Sequence, residues 1–323
     1  MAVGVLVTGG AGFIGSALVR RLIENGAVVR VADNFSTGSR DNLAGVLDRI
    51  ELLEGDLIDA DFARAAATGV DYIFHEAAIA SVPHSLEDPI GHHHANLSAT
   101  VNLLTAAQRT GVKRLVFASS SAVYGNSKTL PATESTPDEP ISPYAVTKLA
   151  SEKYCQSFSR VFGFETVCLR YFNVFGPRQS PSSPYSGVIS LFLDASLNGK
   201  RPTIFGDGEQ SRDFVFVENV VDANLLACSS KTATAMVFNV GCGERHSLNT
   251  LVETLSRAVG REITPSYGPP RQGDALHSQA DISLARSVLG YEPRVGLEEG
   301  LKHTLRWFQS ARLNEPHLSK VPE

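Results

Sequence analysis

Tyr144 and Lys148 stand four residues apart in Ser142-Pro143-Tyr144-Ala145-Val146-Thr147-Lys148. On a helix that spacing puts a phenol and an ammonium on one face, one turn apart. An ammonium beside a phenol favours the phenolate, and a tyrosine so tuned can take a hydroxyl proton near neutral pH. Ser142 as N-cap and Pro143 as first helical residue make a good helix start. A solvated helix face carries the same Tyr-x-x-x-Lys spacing by chance, so the pair needs support. The run Phe117-Ala118-Ser119-Ser120-Ser121-Ala122-Val123-Tyr124-Gly125 supplies it. It leaves a candidate strand, 115–118, at its carboxyl end, where a serine hydroxyl can hold a substrate oxygen beside the phenol. The competing reading is a serine-rich turn.

A second chemical signal opens the chain. Thr8-Gly9-Gly10-Ala11-Gly12-Phe13-Ile14-Gly15 follows one candidate strand and starts one candidate helix. Glycines at 9, 12 and 15 allow a tight turn, close approach to a pyrophosphate, and close packing of helix on sheet. The helix N-terminus offers N–H groups and a positive dipole end to phosphates. The bland alternative is a glycine turn with no ligand. Asp33 ends the next strand roughly 20 residues on, where a carboxylate accepts from ribose hydroxyls and repels a 2′-phosphate. NAD is therefore favoured over NADP. Capping of the turn 34–38 is an equal reading for Asp33 alone. Asp56 can reach an adenine amino group or serve as a helix N-cap.

The elements that must position these groups alternate. Strands are predicted at 3–7, 28–32, 50–53, 72–74, 115–118 and 166–169. Helices are predicted at 13–25, 61–67, 95–109 and 144–161, the first closed by Gly26. Repeated β–α–β units imply a parallel sheet with helices on both faces, an α/β fold that binds ligands at its carboxyl edge. After residue 175 the rhythm changes. Residues 176–185 are rich in Pro and Ser and read as a surface loop or boundary. A closing helix is expected at 297–308. The chain divides into a cofactor domain, 1–175, to which later segments return, a second lobe, 176–312, and a flexible tail, 313–323.

Composition narrows the function classes. The 323 residues are 43% hydrophobic with a net charge of −5, and no dense Lys/Arg run exists. A nucleic-acid partner is disfavoured. Cys155, Cys168, Cys228 and Cys242 lack metal or redox spacing. They suit a reducing compartment. The N-terminus is wrong for a signal peptide, and no apolar stretch approaches the ~20 residues that cross a bilayer. A cytoplasmic protein with no membrane partner is expected. His92-His93-His94 invites a metal reading, but successive helical side chains point about 100° apart and cannot close on one ion. They read as partly exposed helix residues, and no metal is expected.

Together these residues resemble the extended short-chain dehydrogenase/reductases that modify nucleotide-sugars, over roughly residues 3–307. Phe74-His75-Glu76-Ala77-Ala78, Leu169-Arg170-Tyr171-Phe172-Asn173, Phe205-Gly206-Asp207-Gly208, Arg212-Asp213-Phe214, Asn239-Val240-Gly241 and Arg271-Gln272-Gly273-Asp274 extend the match. Ala99 departs from the usual Asn-x-x-Gly-Thr. The resemblance implies a Rossmann-type doubly wound sheet with a smaller C-terminal α/β substrate-binding lobe. It implies NAD, which removes a hydride from C4 of the sugar. Tyr144 would be the base, Lys148 would hold the nicotinamide ribose and depress the phenol pKa, and Ser120 would bind the C4 oxygen. Gly9, Gly12, Phe13 and Ile14 would contact the cofactor from the first turn. Asp33, Asn34, Ser36, Thr37 and Gly38 would do so after the second strand, and Asp56 and Leu57 after the third. Ala77, Ala78, Ala80, Asn96 and Tyr171 would complete that site.

The resemblance also discriminates among reactions. Related 4,6-dehydratases carry Asp-Glu just after the Ser/Thr, and UDP-glucuronate decarboxylases a Glu at the second position. Here Ser121 and Ala122 stand there. What remains is 4-epimerisation of a UDP-hexose or UDP-N-acetylhexosamine. A reductase or lyase of the family and a non-catalytic NAD-binding scaffold are the rivals. Asn173, Gly187, Val188, Phe205, Arg212, Arg271 and Asp274 would hold the UDP-sugar; an Arg271–Asp274 ion pair is the plain alternative. Ser278 would gate the 2-substituent, a small residue there admitting N-acetyl sugars. His84 is the odd candidate for a uronate, against a plain loop histidine. A homodimer formed by helices 95–109 and 144–161 is the family expectation.

Overall fold

The computed structural model describes residues 3–181, 187–270 and 276–314. The first half runs β1 (Gly4–Thr8), α1 (Phe13–Glu24), β2 (Val28–Asp33), β3 (Ile50–Glu54), α2 (Ala60–Ala67) and β4 (Tyr72–His75). It continues with α3 (Val82–Glu87), α4 (Pro89–His92), a π-helical stretch (His93–Ser98), α5 (Ala99–Thr110), β5 (Arg114–Ser120), α6 (Pro143–Phe162) and β6 (Glu165–Tyr171). Then follow β7 (Asn173–Phe175), α7 (Val188–Leu197), β8 (Thr203–Phe205), β9 (Ser211–Arg212), β10 (Phe214–Phe216) and α8 (Val217–Ser229). The chain closes with β11 (Val237–Val240), β12 (His246–Ser247), α9 (Leu248–Val259), β13 (Ser266–Gly268), α10 (Ser283–Leu289) and α11 (Leu297–Asn314).

The main sheet is parallel, in the order β11-β6-β5-β4-β1-β2-β3. Strand alternation sends Val5 and Val7 into the core with α1 and α8, and Leu6 into the core with α2 and α5. Both faces are covered, so these strands are nearly all apolar. The expected doubly wound α/β fold is present. A separate core gathers Phe175, Phe192, Leu251, Leu255, Leu301 and Phe308. The closing helix α11 contributes to it and runs longer than expected, to Asn314. The second half is not confined to that core, since β11 returns to the edge of the main sheet beside β6.

Two local departures bear on the site. The single helix expected over 95–109 is broken: α4 and the π-helical stretch precede α5. An extra residue in a turn re-aims the side chains around it. Helix α6 starts as read, with Ser142 Oγ accepting from Ala145 N at 3.2 Å and Pro143 in the first turn.

Candidate active site

Strands β2 and β3 lie on one side of β1, and β4, β5, β6 and β11 on the other. The chain therefore leaves β1 and β4 in opposite directions, and a cleft opens between their carboxyl ends. A cavity of about 410 Å³ lies there. Its floor admits only glycine at two points. Gly9 has φ +66°, and a Cβ on it would come within 2.6 Å of Ala77 N. A Cβ on Gly15 would lie 2.2 Å from Gly9 O. Gly12 caps α1 without a side-chain acceptor, so the first-turn N–H groups are available to an anion.

Asp33 is engaged by the chain and also borders the cleft. Its carboxylate accepts from Ala11 N at 2.9 Å and Phe35 N at 2.8 Å, which ties the glycine turn to the following turn. Burial raises its pKa, and those two N–H groups oppose the rise. Asp56 accepts from Asn34 Nδ2 and Ile58 N, each at 2.9 Å. The N-cap of α2 is Asp59, so the capping alternative for Asp56 falls.

Tyr144, Lys148 and Ser120 converge on one wall of the cleft. Tyr144 is 9% exposed and Lys148 4%. Burial raises the Tyr144 phenol, and its hydrogen bond with Ser120 lowers it. Lys148 Nζ donates to Ala118 O at 2.7 Å and lies 4.9 Å from the Phe117 ring centre. Burial brings Lys148 down to about 8, against the opposing fields of Glu76, Cys155 and Glu152. Beneath them, His75 bridges Thr8 Oγ1 at 2.7 Å and Thr100 Oγ1 at 2.9 Å, joining β1 to α5. Burial holds His75 neutral, at about 3.

A second cavity, of about 280 Å³, shares Ala80, Ser120, Tyr144, Tyr171, Phe172 and Asn173 with the first. Arg212, His277 and Ser278 form its far side. Ser278 Oγ donates to Asn173 Oδ1 at 3.4 Å, and Arg212 Nη1 donates to Ser211 O at 3.0 Å. The first cleft thus opens, through the Ser–Tyr wall, onto a second chamber.

The NAD dependent epimerase/dehydratase family matches residues 5–241. The chain belongs to that family. The UDP-glucose 4-epimerase of Mycolicibacterium smegmatis is 40% identical over 309 residues, 94% of this chain and 98% of that protein. The crystal structure of a Thermotoga maritima UDP-glucose 4-epimerase with UDP-glucose superposes with a TM-score of 0.91 at 40% identity, covering 96% of this chain and 99% of that one. A UDP-N-acetylglucosamine 4-epimerase from Methanobrevibacter ruminantium, in complex with UDP-N-acetylmuramic acid, gives 0.91 at 41%, covering 96% and 100%.

The protein is thus an NAD-dependent member of the epimerase/dehydratase family, and its cleft fits the cofactor. The side-chain-free cradle at Gly9 and Gly15 leaves room for a pyrophosphate, and Asp33 closes the far end. Phe13, Ile14, Asn34, Ser36, Thr37, Leu57, Ala77, Ala78, Ala80 and Tyr171 line that cleft, as does Gly187 from the second half. Gly38 and Asn96 do not line it. Asn96 is buried, with Oδ1 accepting from Ile79 N at 2.8 Å and Nδ2 donating to Ile79 O and Thr147 Oγ1. It holds the cleft-lining residue Ile79 by its backbone. Val188 and Phe205 line neither cavity: Val188 packs with the second core, and Phe205 lies near Gly268. Arg271 and Asp274 lie outside the described residues.

The histidine run is corrected. His92 is fully buried, edge-on to the Tyr144 ring, and its Nε2 lies 3.0 Å from His84 Nδ1; His93 and His94 are exposed. His84 sits in α3, so the plain-loop reading fails too. Sequence reasoning also passed over Glu76, Arg178, Gln179 and His277, which face the cavities. The legible signal for Glu76 was a carboxylate directly after a strand that ends at the ligand edge.

Proposed function

We propose that this family member is a 4-epimerase of a UDP-hexose or UDP-N-acetylhexosamine. One observation carries the reading: Ser120 and Tyr144 form the wall between the NAD cleft and the sugar chamber, and no carboxylate lines that chamber among the described residues. Ser121 and Ala122 line that chamber, so an acid at either position would face the sugar. Neither residue can expel the C6 hydroxyl or assist decarboxylation. The hydroxyl of Ser120 binds the C4 oxygen. Tyr144 removes the O4 proton and later returns it. Lys148 supplies positive charge at the cofactor end of the wall. NAD, when bound, accepts the C4 hydride and gives it back. The sugar leaves inverted at C4 because the 4-keto sugar turns in the chamber and takes the hydride back on its other face. Asn173 and Arg212 suit the diphosphate, the latter through its fixed fork of donors.

The division of labour between residues 1–175 for the cofactor and 176–312 for the nucleotide-sugar is part of this proposal. So is a homodimer, supported by exposed apolar residues Val146, Tyr154 and Val161 along α6. A cytoplasmic location suits the four free cysteines. Among the described residues no helix is long and apolar enough to cross a membrane.

The test is a panel of UDP-sugars with products identified by NMR, beside the absorbance of enzyme-bound nicotinamide. C4 epimers without consumption of free cofactor are expected. A 4-keto-6-deoxy product, or stoichiometric use of free NADH, would sink the reading. Ser278→Tyr refines it. Filling the chamber beside Asn173 should lower kcat/KM for the N-acetylated sugar about tenfold to a hundredfold more than for the plain hexose. Equal losses on both sugars would show that Ser278 is not the gate.

A further inference from the structure

Glu76 is a carboxylic acid on the wall of the cofactor cleft, and the mechanism above gives it no role. It follows β4 directly. The β4–β5 register pairs His75 with Phe117, so the next step along the sheet sets Glu76 beside Ala118. Ala118 O is the acceptor of the Lys148 ammonium, at 2.7 Å. Glu76, Ala118 and Lys148 all line the same cavity. Glu76 is held there. Tyr171 donates its hydroxyl hydrogen to Glu76 Oε1 at 2.8 Å and accepts from Asn224 Nδ2 at 2.7 Å. Ala118 lies on β5, between β4 and β6.

We propose that Glu76 is a positioning residue for the catalytic pair: its ionised carboxylate is the counter-charge that keeps the Lys148 ammonium protonated. The other groups around Lys148 do not supply this charge as freely. Glu152, on α6, is engaged by Arg170 and Ser119. His75 is neutral. Cys155 is a thiol on α6, Tyr144 a buried phenol, and His92 lies behind Tyr144. Burial raises Glu76 to about 7, while Tyr171 and Lys148 draw it down. Its charge thus develops near neutral pH. The consequence for turnover rests on the epimerase reading; the charge pairing rests on the fold alone.

The sign follows directly. Removing the carboxylate lowers the Lys148 pKa, so the amine loses its proton at a lower pH. Glu76→Gln keeps the shape and an acceptor for Tyr171 but not the charge. In the full-length NAD-loaded protein, the Lys148 amine is titrated by NMR without substrate, with Lys148→Arg to assign the signal. The wild-type midpoint is expected below the ordinary lysine value, because burial lowers it. In Glu76→Gln it should fall by about one pH unit or more, and the basic limb of the kcat profile should fall with it. Glu76→Asp should restore most of both. Should the amide variant fold poorly, Glu76→Met removes the same charge at similar volume. A midpoint in the charge-free variants within a few tenths of wild type overturns the proposal. So does a loss of kcat that is uniform in pH. A shifted amine in a protein inactive on every UDP-sugar supports the pairing and refutes the epimerase reading instead.

Discussion

Tyr144→Phe should lower turnover by about a thousandfold while leaving fold and NAD binding nearly intact. General-base catalysis contributes about 10²–10⁴ in rate, and among the residues of this wall the Tyr144 phenol is the group assigned to accept the O4 proton. The ring itself stays, and its contact with His92 survives the change. The hydroxyl's hydrogen bond with Ser120 is lost, but Ser120 keeps the Ala122 N–H as a partner at 3.2 Å. The thermal midpoint should therefore move little. The decisive readout is the bound cofactor: adding UDP-sugar to the variant should no longer produce the reduced-nicotinamide signal at a normal rate. Epimerisation at near wild-type speed would remove Tyr144 from the mechanism.

The largest effect on stability is expected at Arg170, which no ligand contact explains. Arg170 and Glu152 are 2% and 0% exposed. They pair through two hydrogen bonds, at 2.9 and 2.7 Å, and Arg170 adds Asp138 at 2.7 Å. The guanidinium also lies 4.7 Å from the Tyr124 ring centre. Arg170→Met leaves the Glu152 carboxylate buried without its counter-ion. Breaking such a pair costs about 3–5 kcal/mol, whereas replacing both partners costs far less. Urea unfolding should show that loss in Arg170→Met and a partial recovery in Arg170→Met/Glu152→Gln. A single variant within about 0.5 kcal/mol of wild type would show that the pair carries no structural weight. Activity should fall with stability, because Glu152 also takes the Ser119 hydroxyl hydrogen. That bond ties α6, which carries Tyr144 and Lys148, to the end of β5, which carries Ser120.

Much of the site was readable from the chain alone, and for a common reason. The glycine turn, the Tyr144–Lys148 spacing and the Ser142-Pro143 helix start are consequences of helix pitch, strand period and steric freedom. Each acts over a few residues. Their order along the chain was enough to set a parallel sheet with its ligand edge at the ends of β1 and β4. The interactions that set charge and exposure were not readable. Glu76 meets Tyr171, 95 positions away, and Tyr171 meets Asn224 from yet another element. Asn96 has a motif position that suggests a cofactor contact, yet its amide is taken up by Ile79 and Thr147. His92 belongs to a run that looks solvent-facing, yet packing with α3 and α6 buries it. The helix spacing of Lys148 was readable, but its hydrogen bond to Ala118 O, on β5, was not. Local geometry settles which side chains share a helix face. The field each of them experiences is summed over atoms that only the closed tertiary structure brings within a few ångströms.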